Sequence, residues 1–197
     1  MAIDFWIRRP WLIPARLKYW LWEKNNPDKP WMCPGTIAFC QATLTKSMKV
    51  LEFGSGRSTR WFAQLVGHVT SVEHDEAWYR IVQQQLAQAQ VKNVDYLHVP
   101  LDHAPTAPEL LSYDPIPQYV AVVERFADQS LDLIVVDGHY RTTCVRYATK
   151  KLARGGCLLV DDINMWTTLA EVGVPESWRI VDDSTNGIKR CVVWQVA

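Results

Sequence analysis

The sequence carries no net charge, no long apolar run and no regular cysteine pattern, and each absence argues against a class of protein. Its 21 Lys+Arg residues equal its 21 Asp+Glu residues, so no overall positive field favours nucleic acid. No segment approaches the ~20 consecutive apolar residues that cross a bilayer. Charged residues and prolines interrupt the apolar amino-terminal segment, which does not resemble a signal peptide. We therefore expect a cytoplasmic protein without a nucleic-acid partner.

Cysteine is sparse and irregularly spaced. The five cysteines form no C-x-x-C pair, and their number is odd. Cys157 and Cys191 lie within apolar, strand-like runs, where a thiol behaves as a small hydrophobic group. We expect free thiols in a reducing compartment, without a structural zinc site.

The chain alternates strand-like and helix-like segments along most of its length. Apolar runs predict seven strands at 50–53, 69–72, 94–99, 132–136, 157–160, 179–181 and 189–196. Amphipathic segments predict helices at 13–24, 37–44, 75–88, 119–126, 142–152 and 165–172, with another helix after the glycines near residue 55. Repeated strand–helix units indicate a parallel sheet, and the short turn before the last strand indicates one antiparallel strand. The sequence predicts a three-layer α/β fold at 48–197, after an aromatic and basic helical cap at 1–47.

The most informative stretch is 49–73, KVLEFGSGRSTRWFAQLVGHVTSVE. A buried strand runs into Gly54-Ser55-Gly56, where glycine permits a tight turn and a close approach of backbone to a ligand. The next strand ends on Glu73, at the sheet edge where open α/β sheets bind ligands. A carboxylate there can accept hydrogen bonds from both hydroxyls of a ribose. The pattern predicts a nucleoside site.

Two residues distinguish between nucleosides. The third glycine of the dinucleotide pattern G-x-G-x-x-G is replaced by Thr59. Glu52 precedes the turn, where it would repel a pyrophosphate but could face the ammonium group of a methionine moiety. The segment resembles motif I of the class I S-adenosylmethionine-dependent methyltransferases, together with their acidic end of the second strand. A glycine turn without a nucleotide and an NAD-dependent Rossmann enzyme are the alternatives.

The resemblance implies a set of cofactor-binding residues around this turn. Ser58 and Thr59 are expected to cap the following helix, and His74 to lie beside the adenine. Asp102 follows the third strand, where many such enzymes place an acid near the adenine amine. Thr36 is expected to cap a helix whose N–H groups face the cofactor carboxylate. The full set is Thr36, Glu52, Gly54, Ser55, Gly56, Ser58, Thr59, Glu73, His74, Asp102 and Asp137.

A second motif follows the fourth strand. Asp137-Gly138-His139-Tyr140-Arg141, then Leu152, Gly155-Gly156 and Asp161-Asp162, resembles the D-G-x-x-R … L-x-x-G-G … D-D pattern of small bacterial and plant methyltransferases. With motif I the resemblance covers about 31–196. It implies the Rossmann-like methyltransferase fold and S-adenosylmethionine, and it leaves the methyl acceptor open.

The same acids are similar to those of metal-dependent catechol-type O-methyltransferases. Asp137, Asp161 and Asp162 stand where that family holds a magnesium-like ion, and three carboxylates suit Mg²⁺. Asp162 replaces the family's Asn, however, and His139 and Arg141 stand where its lysine base is expected. In the alternative without a metal, Asp161 and Asp162 cap the next helix.

The resemblance predicts direct methyl transfer to an oxygen on a small-molecule, sugar or lipid-linked acceptor. His139 is the candidate base, because imidazole ionises near physiological pH. Arg141 is expected to hold an anionic group of the acceptor, and Asp137 to position donor or acceptor. A protein that binds S-adenosylmethionine without turnover is the alternative. The absence of N-P-P-Y or D-P-P-Y after the fourth strand disfavours a nucleic-acid methyltransferase.

The amino-terminal segment has its own pattern. Ile13, Leu17, Trp20 and Leu21 share one face of the predicted helix at 13–24. We expect this face to pack on the domain or over the substrate cleft. The alternative is peripheral membrane contact through residues 5–24, because tryptophan with lysine and arginine is typical of interfacial helices.

Overall fold

The computed structural model describes residues 9–104, 106–107, 110 and 112–197, and its centre is a seven-stranded sheet. The strands run in the order β3-β2-β1-β4-β5-β7-β6, and only β7 is antiparallel to its neighbours within the described residues. This confirms the predicted fold. The strands are Lys49–Phe53 (β1), His68–Glu73 (β2), Val94–His98 (β3), Leu131–Val136 (β4), Leu152–Val160 (β5), Arg179–Thr185 (β6) and Arg190–Gln195 (β7).

Helices cover both faces of this sheet. The α-helices are Ile13–Asn25 (α1), Pro34–Thr43 (α2), Arg57–Leu65 (α3), Glu76–Gln88 (α4), Gln118–Ala121 (α5) and Arg141–Ala148 (α6). Four short 3₁₀ segments lie at Pro10–Leu12, Val122–Arg125, Ile163–Met165 and Leu169–Val172.

The core is divided by the sheet into two hydrophobic clusters. Side chains alternate along β1, so Leu51 and Phe53 join the cluster under α5 and α6, whereas Val50 joins the cluster under α2 and α3. Because both faces are covered, the central strands are nearly continuous apolar runs. Their carboxyl ends are therefore held rigidly at one edge.

Two helix predictions are wrong. The helix predicted at 142–152 ends at Ala148, and residues 152–156 belong instead to β5. The pairing of β4 with β5 shifts register between Leu131 and Leu133, and Gly155, with φ +74, lies in the bulged segment. These glycines form a bulge rather than a helix stop. The helix predicted at 165–172 is two 3₁₀ segments.

The predicted helix caps also differ from those in the structure. Gly56 occupies the cap position of α3, and Ser58 and Thr59 are its second and third residues. The Thr59 hydroxyl accepts a bond from the Gly56 N–H at 3.1 Å, which supports the turn from inside the helix. In α2 the cap position is Cys33, and Thr36 lies within the first turn.

The amino-terminal helix packs through the face opposite to the predicted one. Tyr19 is buried, and its hydroxyl donates to the Met32 carbonyl at 3.3 Å. Trp22 stacks on Tyr19 and contacts the core. The predicted contact face is exposed to solvent: Ile13, Leu17, Trp20 and Leu21. The expectation that this face packs on the domain is wrong, because Tyr19 and Trp22 provide a larger aromatic contact on the other side.

β1 carries one buried carboxylate, Glu52, which lies beneath the glycine turn. Its Oε2 accepts hydrogen bonds from the hydroxyls of Thr59 and Ser71, both at 2.6 Å. Its Oε1 is buried without a hydrogen-bond partner in the part of the chain that the structure describes. Burial raises the pKa of Glu52 to about 7, although the hydroxyls of Ser58, Ser71 and Thr59 oppose the change.

This raised pKa predicts a pH dependence of stability. Between pH 4.5 and about 7 the unfolded chain loses the Glu52 proton while the folded chain keeps it. The contribution of Glu52 to the free energy of unfolding should therefore be largest below pH 4.5 and decrease by on the order of 3 kcal/mol as the pH rises to about 7. Urea unfolding of the parent and Glu52→Gln across this range measures the difference. Glu176→Gln, at an exposed position, is the control. Equal slopes in the parent and Glu52→Gln would contradict the prediction.

Candidate active site

A cleft of about 380 Å³ opens at the carboxyl ends of β1, β2 and β4. The chain leaves β1 toward β2 on one side, whereas β4 lies on the other, so the cleft occupies a topological switch point of the sheet. Its walls are formed by Gly54, Ser55, Glu73, His74, Asp75, Trp78, Asp137, Gly138, His139 and Arg141.

A larger cavity, of about 720 Å³, lies at the other edge of the sheet, where the strands begin. Lys49, His68 and Val94 are among the residues that line it. Ligands of open α/β sheets bind at the carboxyl edge, so the smaller cleft is the candidate site.

The glycine turn after β1 is packed against the turn after β4. Gly54 has φ +91, and a Cβ atom at this position would lie 2.7 Å from the Gly138 nitrogen. Only glycine is free of strain there. At Gly56 an added Cβ would meet nothing closer than a carbon of Trp78 at 4.0 Å. A Cβ atom at position 56 would therefore not clash with the described residues, and the fold itself does not require glycine there.

Glu73 connects this turn to the end of β2. Its Oε2 accepts bonds from the Ser55 N–H at 3.1 Å and the Ser55 hydroxyl at 2.8 Å. Its Oε1 accepts from the N–H groups of His74 and Asp75, at 2.8 and 2.9 Å. Burial alone would raise the pKa of Glu73, but these contacts outweigh it and lower the pKa to about 2. The carboxylate is ionised throughout the physiological range.

Two histidine rings meet across the cleft. His74, after β2, and His139, after β4, have ring centroids 4.3 Å apart in an edge-to-face arrangement. Nδ1 of His74 also lies 3.0 Å from Oε1 of Glu73, although the alignment is too poor for a hydrogen bond. The pair places one imidazole on each side of the glycine turn.

Arg141 lines the cleft and makes several hydrogen bonds within the protein. Its Nε donates to the Gly138 carbonyl at 3.0 Å, and one terminal nitrogen donates to the Asp161 carbonyl. The other donates to the carbonyl and carboxylate of Asp137, both at 3.1 Å. Most of the guanidinium donors are thus committed to the protein. Arg141 connects the turns after β4 and β5, and its predicted contact with an anionic group of the acceptor stays a prediction.

The three acids predicted to bind a metal do lie together. Ligand atoms from Asp137, Asp161 and Asp162 come within 4.8 Å of one another. The ammonium of Lys189, however, lies 2.7 Å from Asp161 Oδ2 and 3.5 Å from Asp162 Oδ2. The thiol of Cys191 donates to the other Asp161 oxygen at 2.6 Å. The fully buried carboxylate of Asp161 is therefore already neutralised by an internal cation. Asp162 occupies the cap position of the 3₁₀ segment Ile163–Met165, but its side chain makes no cap hydrogen bond.

Burial and the neighbouring Asp161 raise the pKa of Asp137 above its ordinary value, against the opposite effects of Arg141 and Lys189. The same acids raise the pKa of Lys189, although burial opposes that change. The lysine therefore remains a cation and is unsuited to act as a base.

Six of the predicted cofactor-binding residues do not line the cleft: Thr36, Glu52, Gly56, Ser58, Thr59 and Asp102. Thr36 is buried and donates to Asp182 on β6 at 2.6 Å. Asp102 accepts from the Gln118 N–H at 2.7 Å, at the start of α5. Glu52 and Thr59 lie beneath the turn and bond to each other. The predicted contacts of these residues with a cofactor stay predictions. The hydrogen bonds of Thr36, Asp102, Glu52 and Thr59 connect elements of the protein around the cleft.

Sequence reasoning missed several residues that shape the site. The Tyr96 hydroxyl, on β3, lies 2.6 Å from the Ser55 hydroxyl, and the Trp78 indole donates to the Ser55 carbonyl at 2.9 Å. The third missed residue is Lys189, which the sequence pattern shows only as the first residue of the last strand-like run. The sequence pattern offers no signal for this position of Lys189, because it depends on the register of β5 with β7, in which Val160 faces Val192. That register brings the residues before Val192 alongside those after Val160.

Comparisons with known proteins agree with this geometry. A family profile described as "Methyltransferase domain" matches residues 51–163, more than half of the 197-residue chain. A search of curated proteins gives no match.

Solved methyltransferase structures share the fold. A methyltransferase-like protein from Silicibacter pomeroyi is 24% identical, with a TM-score of 0.62 over 86% of this chain and 89% of its own. An S-adenosylmethionine-dependent methyltransferase from Aquifex aeolicus is 14% identical, with a TM-score of 0.57 over 88% and 96%. A Streptococcus mutans protein solved with S-adenosylhomocysteine is 12% identical, with a TM-score of 0.54 over 80% and 93%.

The matched residues 51–163 include the glycine turn, Glu73 and the turn after β4 that together enclose the cleft. The chain therefore belongs to this methyltransferase domain family and is an S-adenosylmethionine-dependent methyltransferase.

Proposed function

We propose that the enzyme transfers the methyl group of S-adenosylmethionine to an oxygen nucleophile on a small-molecule acceptor. The observation that carries the proposal is the cleft itself: an ionised carboxylate, Glu73, lies on one side of the glycine turn, and Asp137 and His139 lie on the other. The first side suits a ribose, and the second suits an acceptor that must lose a proton.

On the ribose side, Glu73 has four donors for its two oxygens. Three are backbone N–H groups, and the fourth is the Ser55 hydroxyl. This hydroxyl has a second partner, Tyr96, at 2.6 Å. When a ribose binds, the Ser55 hydroxyl can turn to Tyr96 and leave one acceptor position on Glu73, at small cost because no polar group loses its last partner.

On the acceptor side, the protein must align the acceptor, exclude water and remove a proton, since the bound sulfonium supplies an electrophilic methyl group. His139 lines the cleft beside Asp137. We assign His139 as the base for an acceptor hydroxyl and Asp137 as a positioning group. Arg141 stabilises the loop that carries both residues, through its bonds to the Asp137 and Gly138 carbonyls.

The acids after β4 and β5 fit this scheme without a divalent metal. Magnesium prefers several free carboxylate or carbonyl oxygens, but both oxygens of Asp161 accept bonds from Lys189 and Cys191. An Mg²⁺ ion at this position would also meet the ammonium of Lys189. The three acids therefore do not suit Mg²⁺ in this arrangement. We assign Lys189 as the counter-ion of Asp161.

Replacement of Glu73 tests the cofactor side. Glu73→Gln removes the charge and one acceptor oxygen, so the affinity for S-adenosylhomocysteine should fall by roughly 1–3 kcal/mol, measured by isothermal titration calorimetry. Asp95→Asn, which changes an acid that is 68% exposed at the other edge of the sheet, is the matched control and should bind normally. Thermal unfolding confirms that both variants fold. Unchanged affinity in Glu73→Gln would exclude the ribose contact.

Replacement of His139 tests the acceptor side. The enzyme is incubated with tritiated S-adenosylmethionine and a panel of phenols, sugars and amines of matching structure. We expect the hydroxyl compounds to become labelled. With a labelled acceptor, His139→Ala should lower kcat by roughly 10²–10⁴, the usual contribution of a general base. His68→Ala, at the opposite sheet edge, should retain full activity. Labelling of the amines alone, or an unchanged kcat in His139→Ala, would refute the proposed chemistry.

Replacement of Lys189 tests the counter-ion assignment. The parent enzyme should keep its affinity for S-adenosylhomocysteine in the presence of EDTA. Lys189→Met should bind Mn²⁺ at least about tenfold more tightly than the parent enzyme, because the variant has a carboxylate cluster without its internal cation. Electron paramagnetic resonance counts bound Mn²⁺, and Mn²⁺ should raise the Tm of the variant alone. Lys151→Met, which removes an ion pair with the exposed Asp128, is the control. Tight Mn²⁺ binding by the parent enzyme would overturn the assignment.

A further inference from the structure

The outer face of α1 is apolar and has no partner among the described residues. Its exposed fractions are 51% for Ile13, 55% for Leu17, 40% for Trp20 and 49% for Leu21, and Trp11 just before the helix is 68% exposed. These residues recur at helical spacing, so they form one continuous stripe. Contiguous apolar patches of this kind on a folded protein mark interaction sites.

The exposure of this stripe does not result from poor packing of α1 on the domain. Tyr19 and Trp22, on the opposite face, stack on each other and contact the domain. The Arg16 guanidinium lies 3.0 Å from the Glu23 carboxylate. The helix is thus anchored through one face, and its other face is held outward in a fixed orientation.

The charges around the stripe are positive. Over residues 9–24 the basic side chains are Arg9, Arg16, Lys18 and Lys24, and Glu23 is the one acid. That acid is already paired with Arg16. The Lys24 ammonium lies 3.9 Å above the Trp20 ring, so a cation lies within the stripe itself. The whole chain has no net charge, so this positive face is a local feature.

From this arrangement we propose that the outer face of α1 docks on an anionic lipid bilayer surface. The apolar side chains would enter the boundary between headgroups and acyl chains, and the exposed Lys18 and Lys24 would contact anionic headgroups. Two copies of this face would bring like charges together, which disfavours self-association. The helix would lie on the bilayer, because none of the described helices is long and apolar enough to cross one.

Docking would also bring the active site close to the bilayer. The inner face of α1 contributes Arg16, Tyr19 and Glu23 to a cavity of about 200 Å³ that Trp31, Ile188 and Lys189 also line. Lys189 in turn contacts Asp161. One helix therefore connects the proposed docking face with the acids beside the cleft.

Cosedimentation of the full chain with vesicles tests the proposal. The parent protein should bind vesicles of phosphatidylcholine with phosphatidylglycerol at least about tenfold more strongly than phosphatidylcholine alone, and molar salt should weaken the binding. The double variant Leu17→Ser with Trp20→Ser should lose most of the binding. The matched control is Ile81→Ser with Ile180→Ser, which changes two residues of similar exposure elsewhere and should bind normally.

Charge reversal provides a second arm. Lys18→Glu with Lys24→Glu should abolish the preference for anionic vesicles, whereas Lys92→Glu with Lys150→Glu, at exposed sites elsewhere, should preserve it. Circular dichroism and S-adenosylhomocysteine binding confirm that each variant is folded. Absence of vesicle binding, equal loss in the control variants, or a parent dimer that Leu17→Ser with Trp20→Ser converts to a monomer would overturn the proposal. None of these outcomes depends on the identity of the methyl acceptor.

Discussion

The close approach of two glycine turns, at the ends of β1 and β4, is the constraint on which the site depends. A Cβ atom at Gly54 would lie 2.7 Å from the Gly138 nitrogen, and one at Gly138 would lie 2.9 Å from the Gly54 nitrogen. Because both positions lack a side chain, the backbones can touch. Their contact sets the width of the cleft and places Glu73 and Asp137 on its two sides.

The second constraint is the balance of buried charge at the same edge. Asp137, Asp161 and Asp162 lie within 4.8 Å of one another, an arrangement that costs free energy unless cations accompany it. The protein supplies two, Arg141 from the start of α6 and Lys189 from the turn before β7. The last hairpin of the sheet is therefore part of the site, although it lies outside the residues that define the glycine turn.

The central strands and the edge of the sheet that carries the cleft were predictable because their signals are local. A strand buried on both faces is largely apolar, so its pattern is visible in the sequence. A glycine turn, followed by an acid at the end of the next strand, marks the carboxyl edge of the sheet. The end of α6 was not predictable in the same way. The glycines at 155 and 156 suit both a helix stop and a bulge, and the pairing of β5 with β4 selects the bulge.

The sequence by itself determined the α/β architecture, the glycine turn after β1 and the position of Glu73 at the end of the neighbouring strand, because periodicity and turn chemistry depend on neighbouring residues. Tertiary structure alone decided that Lys189 pairs with Asp161, that Arg141 joins two turns and that the apolar stripe of α1 faces outward. A helical stripe has the same period whether it is buried or exposed. Contacts between residues far apart in the chain depend on strand register, which the local pattern does not specify.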